Sequence, residues 1–192
     1  PDSSRIYNFN YKIIGITSKQ TLEVFVTGSS DEDRSNDKIK ASISPGYSPQ
    51  MVLLNEIMYT PLNGEPEWIE LYNNSQYDID LEDWSITDVL TTPVETKIQA
   101  KDYIFPSKTF LVVAKDSTIK DFHSTIPSKL IVLNFANLNN DADGVVLKDS
   151  RDVTIDSVRY DFLWGGTNGR SLERKTISSS SLEKNNWGSS KD

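Results

Sequence analysis

An all-β sandwich is the fold class that this sequence predicts, and three observations carry it. Short runs of β-formers recur along the chain at roughly 8 to 12 residue intervals, the spacing of a two-sheet immunoglobulin-like domain. Clusters of Asn, Asp, Gly and Pro punctuate them, as tight turns require. One stretch alone, Ser117–Ser124, reads as a helix, and it is only about two turns long.

The first 44 residues predict a partial Ig-like β segment of three strands. In Tyr7–Ile13 every second residue is apolar, the period of a half-buried strand. Thr21–Thr27 and Lys38–Ser44 continue the pattern, and the loop between them, Gly28–Asp37, holds no apolar residue and must sit in water. Three strands do not close a core, so the remaining strands are expected upstream, removed, or supplied by another chain. An unpaired edge of this kind favours strand exchange into a homo-oligomer. The charged hairpin loop resembles the last hairpin of bacterial cell-adhesion-type Ig-like modules. Residues 45–50 then form the linker, because two prolines and a glycine around Tyr47 end any strand.

The nucleus of the larger domain, residues 51–192, is a predicted hairpin. Val52–Pro61 and Glu67–Asn74 are its strands, and Leu62–Pro66 is its turn. Alternation places Ile69 and Leu71 on the core face and Trp68, Glu70 and Tyr72 on the other. Downstream, Ile79, Leu81, Trp84 and Ile86 are the apolar positions of two short extended pieces separated by a turn at Glu82-Asp83. A polar insert, residues 91–102, leads to Tyr103–Pro106 and then to Thr109–Ala114, whose continuous apolar run is that of a strand covered on both faces. Lys129–Leu133, Gly144–Lys148 and Thr154–Tyr160 are three further strands. The polar tail from Phe162 keeps Trp164, Leu172 and Trp187, which are expected to pin it onto the domain. Ile57, Ile69, Leu71, Leu81, Trp84, Val113, Leu147 and Trp187 are the predicted structural core.

Composition narrows the function. Of 192 residues, 36% are hydrophobic, enough for a packed core. The formal charge is -8, and the excess acid lies wholly beyond residue 50: residues 1–50 hold 6 basic and 6 acidic side chains, residues 51–192 hold 14 and 22. Such a field repels a phosphate backbone, which argues against a nucleic-acid partner. No run approaches the roughly 20 apolar residues of a membrane span. Cysteine is absent, which excludes disulfides, thiolate nucleophiles and Cys-ligated zinc. His123 is the single histidine, so a His-rich metal site is excluded. The N-terminus Pro1-Asp2-Ser3-Ser4 has no Met and no signal pattern, as in a fragment or a processed form.

Distributed residues then point to a family. Leu54-Asn55-Glu56-Ile57-Met58-Tyr59 with Pro61, Glu67–Asn73, Asp80-Leu81 with Trp84–Asp88, Asp143–Leu147, Ile155–Tyr160, Ser171-Leu172-Glu173-Arg174 and Asn186-Trp187 together resemble the lamin tail domain, in its bacterial branch, over about residues 51–190. The resemblance implies an Ig-like sandwich that serves as a non-catalytic interaction or attachment module in a larger, exported bacterial protein, with a protein or cell-surface partner. It implies no active site and no cofactor.

Several groups still invite chemistry. Asn139, Asp141 and Asp143 precede Gly144 as in the first half of a calcium loop, but the twelfth position is Ser150 where a bidentate Glu is needed, so the segment reads as a hairpin turn. Asp31, Asp33 and Asp37, with Glu32, form a second group of hard oxygen ligands, whose plainer reading is a solvated loop. Glu56, Glu67 and Glu70 flank the central hairpin and contain the parts of a glycosidase-like dyad. Exposed strand carboxylates are ordinary, however, and Glu70 is expected to pair with Arg174. His123 and Ser124, being sequence neighbours, do not face each other on a helix. Gly165–Gly169 lacks the lysine and the strand and helix flanks of a phosphate loop. Trp68 and Tyr72, on one strand face, are the candidate aromatic binding patch. A carbohydrate-binding or calcium-dependent adhesion module is therefore the first rival reading, and a carboxylate hydrolase the second.

Overall fold

The computed structural model describes residues 19–27, 33–89, 92–101, 103–124, 126 and 130–191. The chain divides into two compact units, Pro1–Pro45 and Gly46–Asp192. In the first, β1 (Gln20–Phe25) and β2 (Lys38–Ile43) form an antiparallel hairpin in which Leu22 faces Ala41 and Val24 faces Ile39. That apolar row is solvent-exposed, with Ile39 at 65%. The polar row is held by Glu23, which takes Lys38 at 2.8 Å and Lys40 at 2.6 Å. The expected strand at Tyr7–Ile13 lies outside the described residues.

The second unit closes two sheets over one interior. β3 (Val52–Met58) and β4 (Trp68–Asn73) are the predicted hairpin, pairing Ile57 with Ile69 and Leu54 with Leu71. Asn55 is an extra residue between Leu54 and Glu56, a bulge that bends β3. After β5 (Ile79–Asp80) the chain turns at Glu82-Asp83, where Asp83 has φ 63°, into β6 (Ser85–Asp88). The polar insert contains a strand that alternation did not predict, β7 (Glu95–Lys97), which is stabilised by pairing with β6. β8 (Ile104–Phe105) pairs with β5, and β9 (Phe110–Ala114) with β4.

The helix α1 is shorter than predicted, Ile119–Phe122, and Thr118 does not cap it. Asp116 instead accepts from the Thr118 amide and hydroxyl, because a carboxylate two residues upstream closes this turn better than the hydroxyl does. The chain from β9 through α1 to β10 (Leu130–Val132) is a crossover, so β10 runs parallel to β9. β11 (Ala142–Lys148) and β12 (Thr154–Asp161) pair antiparallel. The polar tail does more than pack: Leu172–Arg174 (β13) and Trp187–Ser189 (β14) are strands, each too short to show a period.

The sheets run β10-β9-β4-β3-β13-β14 and β12-β11-β6-β7, with β5-β8 as a separate pair. Ile57, Ile69, Leu71, Leu81, Trp84, Val113, Leu147 and Trp187 are each at most 2% exposed and belong to one core cluster. A satellite core of Met58, Trp68, Val112, Ala114 and Ile119 lies on the other face of the six-stranded sheet, under α1.

Candidate functional site

The outward face of the six-stranded sheet is arranged in rows set by strand register. In one row Ala114, Trp68 and Met58 stand side by side and are covered by Ile119 of α1. The next row reads Val112, Glu70, Glu56, Glu173, since Glu70 pairs with Val112 and Glu56, and Glu56 with Glu173. Beside the helix this face sinks into a trough of about 530 Å³, lined by the three glutamates and by Met58, Trp68 and Val112 among others.

Three carboxylates on adjacent strands repel one another, because directly opposed side chains lie about 5 Å apart. The chain relieves this in part. The bulge residue Asn55 donates from Nδ2 to Glu70 Oε1 at 2.8 Å, and the Ser171 hydroxyl donates to Glu56. Glu70 is nevertheless pushed up to about 7, chiefly by burial, against the pull of Asn55 and with help from Glu56 and Glu173. It therefore titrates near neutrality.

The wall of the trough is fixed by Glu65. Its Oε1 lies 2.5 Å from His123 Nε2 and accepts from Trp68 Nε1 at 3.4 Å, while Oε2 accepts from the Leu62 amide at 3.0 Å. His123 meets Trp68 edge-on, ring centroids 5.7 Å apart. Packing under α1 leaves Trp68 only 7% exposed. The expected Trp68 and Tyr72 surface patch is thus not formed as such. Tyr72 instead packs on Phe110 at 4.8 Å, one row beyond the glutamates. Trp84 and Trp187 are core and Trp164 is half-buried, so the four tryptophans share no exposed face.

Arg174 corrects a second expectation. It does not pair with Glu70; it turns inward, where Nη2 donates to Asp156 at 3.0 Å and Nε to the Leu54 carbonyl at 2.8 Å. Asp156 in turn accepts from the Leu54 amide at 2.8 Å and from the Ser181 hydroxyl. The ladder between β13 and β3 covers only Ile57 and Glu56, so it does not reach Leu54, whose backbone groups the ion pair satisfies instead. Burial raises Asp156 above the ordinary carboxylate range, opposed by Ser181, the Leu54 amide and Arg174; burial likewise lowers Arg174, opposed by Asp156.

The remaining candidates separate. Glu67 accepts from Lys115 at 2.8 Å and from the Leu138 amide at 3.1 Å, away from the row. Asp143 spends one oxygen on Asn139 N and Nδ2, each 2.9 Å, and the other on the Gly144 amide at 2.8 Å, which is turn chemistry; Asp141 is exposed beside it. Asp33 caps the short turn Arg34–Asn36 by accepting from the Ser35 amide at 3.0 Å, and Asp37 meets Arg34 at 3.4 Å. Asp31 and Glu32 lie outside the described residues. Among the described residues no group of three acids or imidazoles converges closely enough to hold a metal ion. Sequence reasoning missed Glu173 as part of the row, although the in-out alternation of Leu172, Glu173 and Arg174 was visible.

Two sheets packed over a shared apolar interior make the second unit an immunoglobulin-like β-sandwich. The profile of the Lamin Tail Domain family matches residues 45–161, and the chain belongs to that family. No curated protein matches the chain significantly. Glu173 and Arg174, on which both charged clusters depend, lie beyond the matched residues. Among the described residues no helix is long and apolar enough to cross a membrane.

Proposed function

We propose that this chain is a non-catalytic attachment module of a larger, exported bacterial protein. It holds a protein or cell-surface partner on the outer face of its six-stranded sheet. The supporting observation is the trough: a concave, acidic stretch of sheet face that the chain's own helix covers only at one end. The lamin tail fold is typically non-enzymatic, and the acidity disfavours a nucleic-acid partner. Among the described residues the first hairpin is a two-stranded sheet, whose strand edges support the reading of strand exchange between copies.

One observation favours a rival. Glu56 and Glu70 meet in a trough and Glu70 titrates near neutrality, as a general acid does. Glycosidase carboxylates flank the scissile bond from opposite sides, whereas these stand in one row on one sheet face. Immobilised protein and glycan panels probed with the chain, with and without calcium, separate the readings. Retention on proteins, abolished by protease treatment of the targets, is expected. Retention confined to glycans or dependent on calcium supports the carbohydrate or calcium-adhesion reading, and turnover of nitrophenyl glycosides that Glu70→Gln abolishes supports the hydrolase.

A further inference from the structure

The trough contains an electrostatic conflict that the fold does not require. Any neutral polar residue at Glu70, Glu56 or Glu173 fits a half-solvated strand face, and like charges placed directly opposite destabilise a sheet. A local rule broken at one place on an otherwise consistent fold marks function more often than accident. The concavity is an independent observation: about 530 Å³ remains open along the row because the packing under α1 reaches the Trp68 row and Val112 but not the glutamates.

Size, shape and charge select the occupant. A bare metal ion is poorly served, since the acids are strung along a row and do not converge on one point. A sugar gains little from carboxylates and finds no exposed tryptophan here. A long aliphatic stem with a cationic head fits both parts of the site. The stem lies against the end wall where Ile126 and His123, both partly exposed, meet the nearly buried Trp68, and the head spreads its charge over the row.

Resting on the attachment reading above, we propose that the trough is the receptor for a lysine or arginine side chain presented by a basic segment of the protein partner. The head group meets Glu70 first, the carboxylate nearest the apolar wall in the row, and then Glu56 and Glu173. Such a cation replaces repulsion between the acids with attraction, so free energy lost in folding is recovered on binding. The chain's own Lys191 lines the same trough, where its positive charge opposes the entry of a second cation.

The test uses the full chain, labelled with nitrogen-15, and three blocked pentapeptides of sequence Gly-Leu-X-Leu-Gly in which X is Lys, Arg or Glu. The Lys and Arg peptides are expected to shift the amides of Glu56, Glu70 and Glu173 saturably, and the Glu peptide to leave them in place. In the double variant E56Q/E70Q the affinity for the Lys peptide is expected to fall by about tenfold or more, roughly 1.4 kcal/mol, with the folded spectrum retained. Lys191→Ala is expected to tighten it. Equal response to the Glu peptide, silence of the trough amides, undiminished affinity in the double variant, or weaker binding in Lys191→Ala each overturns the proposal. So does saturable displacement of the same amides by calcium chloride alone. If the peptides fail while the chain is still retained on proteins, this inference falls and the attachment reading stands; if protein retention is also absent, the reading itself has failed.

Discussion

Two successive residues of β13 serve opposite ends: Arg174 turns inward to Asp156, and Glu173 turns outward beside Glu56 and Glu70. At the inner cluster charges are opposite, the guanidinium and carboxylate are buried, and their hydrogen bonds reach Leu54, Ser179 and Ser181. At the outer row charges are alike, with Glu56 and Glu70 half-exposed and Glu173 exposed, and only partly relieved by Asn55 and Ser171. The first arrangement is what stability selects, because a buried ion persists only when paired. The second lowers stability, because like charges placed directly opposite one another destabilise a sheet. The two lie side by side on β3, where the Leu54 backbone bonds to the inner pair and the adjoining bulge residue Asn55 bonds to Glu70.

The largest test of this contrast is at the inner cluster. Arg174→Ala leaves Asp156 buried without its counter-charge and is expected to lower stability by about 3–5 kcal/mol in urea unfolding. The paired replacement Arg174→Met with Asp156→Leu is expected to lose markedly less than the sum of the singles, because no unpaired charge remains. A loss below about 1 kcal/mol for Arg174→Ala would mean that the pair behaves like a surface contact.

At the outer row the sign reverses. Glu70 has its folded titration raised from 4.5 to about 7, so between those values the folded chain holds a proton that the unfolded chain has released. Its contribution to stability is therefore complete below about pH 4.5 and is lost as pH rises through about 7. Glu70→Gln removes this slope and is expected to stabilise the chain at pH 8 by about 1–2 kcal/mol, after allowance for partial exposure. Unfolding curves of variant and wild type across this pH range check it, and destabilisation at pH 8 would show that the carboxylate is structurally required.

The smallest effect sharpens the comparison without disturbing the fold. Glu173→Gln removes one of the like charges that raise Glu70, so the Glu70 carboxyl should titrate at lower pH, by a few tenths of a unit for a screened neighbour about two strands away. Carbon-13 titration of the side chain measures this. An unchanged midpoint would remove Glu173 from the row.

Strands whose own residues alternate or run apolar were legible: β3, β4, β9, β11 and β12 fall where their patterns place them, to within about three residues at either end. The pattern failed where a strand borrows its stability. Glu95-Thr96-Lys97 has no apolar position and exists by pairing with β6, and β13 and β14 are too short to display a period. Glu56 and Glu70 were recognised as a group, but Glu67 was assigned to it and Glu173 was not. Membership depends on which strands become neighbours.

The amino-acid sequence by itself determined the sandwich, its core residues and its family, because side-chain alternation and turn chemistry act over a few residues and survive without long-range information. Tertiary structure alone decided that Arg174 meets Asp156, that α1 buries Trp68, and that three glutamates line one trough. Each of these depends on strand order and register between segments far apart in the chain. Those are set by the packing of the whole domain, and no local pattern encodes them.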